Sequence, residues 1–194
     1  MKISTAKFIK GVGGPDHAIE NETPQIAFIG RSNAGKSSLL NSLTNSKKLA
    51  ITSNTPGRTK EINVFLINET HYFMDLPGYG YARAGGETLE KLSQLIFWYL
   101  FESSHRPRVV LLIDSVVGPT KDDLGMLKAL EEVGLEIVVI ANKVDKIKKS
   151  QYLKQIKKLQ DQISGHKLIP YSSKTKVGIQ ELTIELLGDD GQSV

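Results

Sequence analysis

The stretch PQIAFIGRSNAGKSSLL, residues 24–40, decides how the rest of the chain is read. Ile26 to Ile29 form a short apolar run ending at a glycine, the pattern of a buried strand over 24–30. Leu39 and Leu40 then open a helical pattern over about 36–44. Between the two, GRSNAGKS (30–37) has the spacing G-x-x-x-x-G-K-[ST] in the strand–loop–helix setting that this pattern requires. Gly30 and Gly35 let the backbone curl until its N–H groups point at phosphate oxygens, and the helix N-terminus adds the positive end of its dipole. Lys36 neutralises charge on the outer phosphates, and the Ser37 hydroxyl is suited to ligate magnesium. A glycine-rich turn that bound nothing would give no reason for the Lys-Ser pair.

Outward from this loop, apolar runs alternate with helical patterns. VVLLID (109–114), EIVVIAN (136–142) and KLIPYSS (167–173) read as buried strands. EINVFLIN (61–68) and HYFMD (71–75) flank the polar turn Asn68-Glu69-Thr70, a hairpin signal that sets one strand antiparallel to the rest. Helices are expected near 87–103, 120–133, 149–164 and 177–187. For the second of these, Thr120 is the N-cap, Asp122 and Asp123 fall in the first turn, and Gly134 is the stop. In the third, QYLKQIKKLQDQI sets Leu153, Ile156, Leu159 and Ile163 on one face and Lys154, Lys157 and Lys158 away from it. The alternation predicts a single α/β domain: a mostly parallel six-stranded sheet with one antiparallel strand and helices on both faces. Residues 1–22 read as an N-terminal extension, 23–187 as the domain, and 188–194 as a disordered tail.

A chain of 194 residues suits one such domain. The absence of cysteine excludes a disulfide framework and thiolate metal sites, and fits a reducing cytoplasm. His17, His71, His105 and His166 are too scattered for metal-ligand spacing. MKISTAKFIKGVGG lacks the apolar core of a signal peptide, and LIFWYLF (95–101) is too short for a membrane span. Most of that run should be core; core is the first reading for Trp98 and Phe101 too, with part of a partner surface as the alternative for either. The net charge of +4 is concentrated: ten lysines against Asp145 and Asp161 between Ala141 and Lys176. Such a segment reads either as a solvated face or as a contact for an anionic partner such as nucleic acid.

The phosphate loop leaves ATP or GTP, and NKVD (142–145) separates them. It follows the strand EIVVIA, at the sheet edge where open α/β folds bind ligands. A carboxylate there accepts two hydrogen bonds from guanine; adenine would leave it unpaired, which disfavours adenine by several kcal/mol. The ordered set GRSNAGKS, TPGRT, DLPG, NKVD and SSK resembles the translation-factor class of GTPases over nearly the whole chain. That resemblance implies that Gly30, Arg31, Ser32, Asn33, Ala34, Gly35, Lys36, Ser37 and Ser38 surround the phosphates. It implies that Asn142 and Asp145 read the base, that Lys143 packs along the nucleotide, and that Tyr171, Ser172, Ser173 and Lys174 close the guanine pocket. Ser173 stands where alanine is usual, and the contact there is made by the backbone. The segment Thr55, Pro56, Gly57, Arg58 and Thr59 lies in a polar connection about fifteen residues long, a length that signals function or disorder. By the same resemblance Thr59 reaches magnesium and the γ-phosphate, with Thr55 and Thr52 as substitutes. Asp75 serves the magnesium through water, and Asp75, Leu76, Pro77 and Gly78 bring a backbone N–H to the γ-phosphate. The catalytic set is then Lys36, Thr59 and Gly78, and the magnesium set Ser37, Thr59 and Asp75.

GRSNAGKSSLLN, TPGRT and DLPGYGYA together resemble the YihA/EngB/YsxC family of bacterial ribosome-assembly GTPases, with AKFIK and the absence of an appended domain in agreement. This implies a cytoplasmic monomeric switch that binds GTP and GDP, acts in assembly of the large ribosomal subunit through rRNA and ribosomal proteins, and is needed for cell division. No membrane partner is expected. Where that family has an Arg-His pair after Asp114, this chain has DSVVGPTKDD. Tyr79 follows Gly78 where many GTPases carry a water-orienting glutamine, so intrinsic hydrolysis should be slow and await a partner or an ion. Asn33 matches the asparagine that helps hold potassium in potassium-activated relatives. Arg31, Arg58 and Arg83 could each approach the phosphates or lie on the surface. The alternative function is a GTP/GDP-gated RNA- or protein-binding module in which hydrolysis is incidental. A small-molecule kinase is disfavoured, because NKVD selects guanine and no acceptor site is evident.

Overall fold

The computed structural model describes residues 2–46, 49–50, 61–80, 86–163 and 165–188. In chain order the elements are β1 (Ala6–Val12), β2 (Gln25–Gly30), α1 (Lys36–Leu43), β3 (Ile62–Ile67), β4 (His71–Asp75), α2 (Gly86–Phe97), β5 (Arg108–Asp114), α3 (Lys121–Glu132), β6 (Ile137–Asn142), α4 (Tyr152–Gln162), β7 (Lys167–Pro170) and α5 (Ile179–Leu187). They form one seven-stranded sheet in the order β1-β3-β4-β2-β5-β6-β7. β3 runs antiparallel to both its neighbours, while β4, β2, β5, β6 and β7 are mutually parallel.

The hairpin signal at 68–70 is thus realised. Asn68 and Glu69 take positive φ (48 and 59°), which a tight connection between twisted strands demands. The strand count exceeds expectation by one. AKFIKGV, expected within an N-terminal extension, pairs with β3 as the edge strand. Its signal is weak because an edge strand needs no apolar face. Phe8 is 49 % exposed, and the register shifts between Phe8 and Lys10.

Each inner strand is buried on both faces, which is why they read as continuous apolar runs. On one face Ala27, Ile29, Leu111 and Val139 meet Tyr99 and Leu100, Leu127 and Leu130 of α3, and Leu159 of α4. On the other, Phe28, Phe73, Leu112 and Ile140 meet Leu39 and Leu40 of α1 and Leu182 and Leu186 of α5. α3 begins as expected: Thr120 and Asp123 form a reciprocal capping box, and Gly134 (φ 70°) follows its end.

Other boundaries shift. The expected helix 87–103 becomes α2 followed by a π-helical turn, Trp98–Glu102, and 149–164 becomes a 3-10 turn followed by α4. The packed face of α4 also differs from expectation. Leu153 is 81 % exposed rather than on the packed face. At about 100° per residue, Ile156, Leu159 and Ile163 cluster with Tyr152 between them, and Leu153 points roughly 85° away from their centre. Trp98 and Phe101 are partly buried against the core, and the exposed aromatic there is Phe97. The proposed tail beyond Gly188 lies outside the described residues. Among those described, no helix is long and apolar enough to cross a membrane.

Candidate functional site

The parallel strands deliver the motif residues to one edge of the sheet. β2 ends at Gly30 and passes into the loop that starts α1; β4 ends at Asp75; β5 and β6 end side by side at Asp114 and Asn142. The order β4-β2-β5-β6 sets these four C-terminal ends in a row, at the position where open α/β sheets bind ligands.

The loop 31–35 is shaped for its turn. Ala34 N–H donates to Arg31 O (2.9 Å), and Asn33 and Gly35 take positive φ (66 and 101°). A Cβ at Gly35 would come within 2.3 Å of Asn142 Nδ2, so glycine is required by space as well as by conformation. That amide nitrogen donates to Ala34 O at 2.8 Å, so Asn142 braces the phosphate loop from the neighbouring motif. Lys36 Nζ is paired with the Asp75 carboxylate, and the two side chains are only 10 and 2 % exposed. Ser37 is half-buried beside it, while Ser38 is exposed on the outside of α1. Gly78 is buried, and Tyr79 N–H donates to Gly30 O (3.3 Å) while Ser32 N–H donates to Tyr79 O (2.9 Å), so the segment after Gly78 is zipped to the phosphate loop.

The second half of the site is built around Lys143. Its backbone is left-handed (φ 68°), a conformation that costs a non-glycine residue about 1 kcal/mol. Three bonds hold it there. Its N–H donates to Asn142 Oδ1 (2.8 Å), and its Nζ donates to Asn33 O (2.6 Å) and to Asp114 Oδ2 (2.8 Å). Asp114 had no role in the sequence reading. Burial works against its charge, but the Lys143 ammonium and the Val116 and Val117 amides outweigh it and hold the carboxyl below its ordinary value. The one signal available was its position, a carboxylate ending the strand beside Asn142.

Asp145 is exposed, with Oδ1 accepting from Ser172 Oγ (2.7 Å), and Ser172 is fully buried. β7 stops at Pro170 rather than continuing to 173, so 171–174 curls as a loop against NKVD, with Val144 N–H donating to Tyr171 O (3.2 Å). Tyr171 itself turns inward. Its ring is in the core, its hydroxyl donates to Ser42 Oγ (2.9 Å), and burial pushes the phenol up to about 12. Only its backbone adjoins the site. Ser173 Oγ is buried without a partner among the described residues, whereas Lys174 is exposed. Thr52, Thr55, Pro56, Gly57, Arg58, Thr59 and Arg83 lie outside the described residues. Arg31 is half-buried, and Asn33 is exposed at the loop surface.

A family model described as 50S ribosome-binding GTPase matches residues 25–143, and the elongation factor Tu GTP-binding domain matches 106–188. The probable GTP-binding protein EngB of Clostridium kluyveri is 42 % identical over 184 residues, covering 93 % of each chain. The chain belongs to the EngB family of GTP-binding proteins. It is a GTPase. A crystal structure of a probable EngB superposes with a TM-score of 0.68 at 25 % identity, covering 82 % of this chain and 94 % of that one. Era in complex with MgGDPNP and nucleotides 1506–1542 of 16S ribosomal RNA shares the fold (TM-score 0.69, 23 % identity), covering 88 % of this chain and 58 % of Era.

Proposed function

We propose that this GTPase is a slow nucleotide switch in assembly of the large ribosomal subunit. The observation that carries the nucleotide half is the convergence of Lys36, Ser37, Asp75, Asn142, Lys143, Asp145 and the 171–174 loop on one sheet edge. In this reading the amides of 31–37 and the N-terminus of α1 bind the phosphates. With nucleotide bound, Lys36 would turn from Asp75 to the outer phosphates, which would leave the carboxylate free to serve the metal. Gly78 N–H meets the γ-phosphate, and Asp145 takes the two guanine donors with Ser172 holding it in place.

The donor set suits magnesium: a hydroxyl at Ser37 and a 2 %-exposed carboxylate at Asp75, both oxygen donors. Ser37 and, through water, Asp75 would hold the ion, with Thr59 as third partner. When bound it neutralises charge between the phosphates. Potassium near Asn33 is a further element of the proposal. Faster hydrolysis in potassium than in sodium buffer is its expected result, and equal rates would remove it.

Slow intrinsic turnover follows from Tyr79, whose phenol cannot orient water as a glutamine amide does. The ribosomal half is supported by charge. Lys146, Lys148, Lys149, Lys154, Lys157, Lys158 and Lys174 are exposed and unpaired with any carboxylate among the described residues, unlike Lys143 and Lys167. The description of the matching family model, 50S ribosome-binding GTPase, points the same way. Co-sedimentation with ribosomal subunits under GDP, GTP and a non-hydrolysable analogue tests this. Nucleotide-dependent association with the large subunit is expected, and absence in all three states would refute it. Single-turnover hydrolysis with and without large subunits separates a timed switch from a binding module with incidental hydrolysis; acceleration by the particle favours the switch. A role in cell division would follow from failed assembly, and depletion should then impair ribosome profiles before septation.

A further inference from the structure

Tyr79 occupies the place of a catalytic side chain, yet its hydroxyl is engaged elsewhere. It donates to Asp123 Oδ1 at 2.7 Å. Asp123 is 2 % exposed, and its other oxygen accepts from Thr120 N–H and Thr120 Oγ1, both at 2.8 Å. One carboxylate therefore closes the capping box of α3 and anchors the residue after Gly78. Burial, with Asp123 beside it, keeps the phenol protonated well above its ordinary value, so it stays a donor. The backbone of the same residue is bonded on both sides to the phosphate loop, through Gly30 O and Ser32 N–H. A single residue thus links the nucleotide loop to the first turn of α3, whose outer side exposes Lys121, Asp122 and Leu124.

We infer that Tyr79 is a positioning residue, a latch that transmits the state of the phosphate loop to the N-terminal turn of α3 and so makes that exposed turn a nucleotide-dependent surface. The inference rests on GTP and GDP binding at the 30–37 loop. The linkage is short and stiff. A backbone shift at Tyr79 forced by a γ-phosphate at Gly78 must move the phenol, and the phenol cannot move without releasing or dragging the carboxylate that caps α3.

Hydrogen exchange on the full chain, saturated with GDP or with a non-hydrolysable GTP analogue, tests it. In the wild type, exchange at the amides of Thr120, Asp123 and Leu124 should differ between the two nucleotides by about fivefold or more, the scale of one hydrogen bond. In Tyr79→Phe, which removes one oxygen and keeps the ring, that difference should fall within about twofold while the difference at 30–37 persists. Asp123→Asn, whose one carbonyl oxygen can keep the Thr120 contacts but not also accept from Tyr79, should behave in the same way. A nucleotide-dependent difference at α3 that survives in Tyr79→Phe, or is missing in the wild type, overturns the latch. Faster exchange at α3 that is equal with both nucleotides also overturns it, leaving a bond that is only stabilising. Exchange at 30–37 that is the same with either nucleotide as in the nucleotide-free wild type would overturn nucleotide binding as well.

Discussion

Asp114→Asn is the substitution whose consequence the geometry specifies best. Asp114 and Lys143 are 14 and 25 % exposed, their bond is 2.8 Å, and the carboxylate also accepts from Val116 N–H at 2.9 Å. Asparagine keeps one carbonyl oxygen for the turn but removes the charge facing Lys143, which then leans on Asn33 O alone. A hydrogen bond to a charged group contributes about 1.5–3 kcal/mol, and a neutral acceptor retains part of it. The expected loss is about 1–2 kcal/mol, or roughly 5–30-fold in an equilibrium constant. Because folding holds the Asp114 carboxyl below its ordinary 3.8, its contribution is complete above that value and disappears as pH falls through the lower folded-state value. Urea denaturation of both proteins between pH 3 and 7, those limits being rough bounds on the carboxylate range, measures this. The gap should be constant near neutrality and close toward the acid end. GDP affinity should fall in parallel, because Lys143 also ties Asn33 of the phosphate loop. An unchanged urea midpoint near neutrality, or a gap that fails to narrow toward the acid end, would refute the reasoning.

Asp145→Asn replaces a two-acceptor group with one acceptor and one donor. GDP affinity should drop by about 100-fold or more while xanthine nucleotides gain, as competition titration would reveal. Lys36→Met leaves the buried Asp75 unpaired and should cost about 3 kcal/mol of stability in the nucleotide-free protein. Adding Asp75→Asn should restore most of it, and a double mutant no better than the single would count against the pairing. Gly178→Ala places a Cβ 2.1 Å from Pro170 O at φ 77°, behind the loop that meets Asp145. Thermal unfolding should show a loss of more than about 1 kcal/mol, with weakened guanine binding.

Much of the site was legible as sequence because its chemistry is local. GRSNAGKS carries its own turn geometry, and Asp75, Asn142 and Asp145 follow strands whose apolar runs are unmistakable. The hairpin at 68–70 and the capping box at Thr120 are likewise written within a few residues. What could not be read were the features made by partners distant in the chain. β1 became a strand only because β3 offered it an edge. Tyr171 looked like a pocket residue until Ser42, far away in sequence, took its hydroxyl into the core. Leu153, by contrast, was legible: at about 100° per residue it falls off the face shared by Ile156, Leu159 and Ile163, and it is exposed.

Local sequence, then, determined the kind of ligand, because phosphate and guanine recognition reside in short motifs whose spacing is their geometry. Tertiary structure alone decided how those motifs are held to one another: Asp114 on Lys143, Asn142 on Ala34, and Tyr79 on Asp123. The reason is physical. A hydrogen bond between residues 29, 108 or 44 positions apart leaves no periodic trace in a chain, and exists only once the sheet has brought their strands side by side.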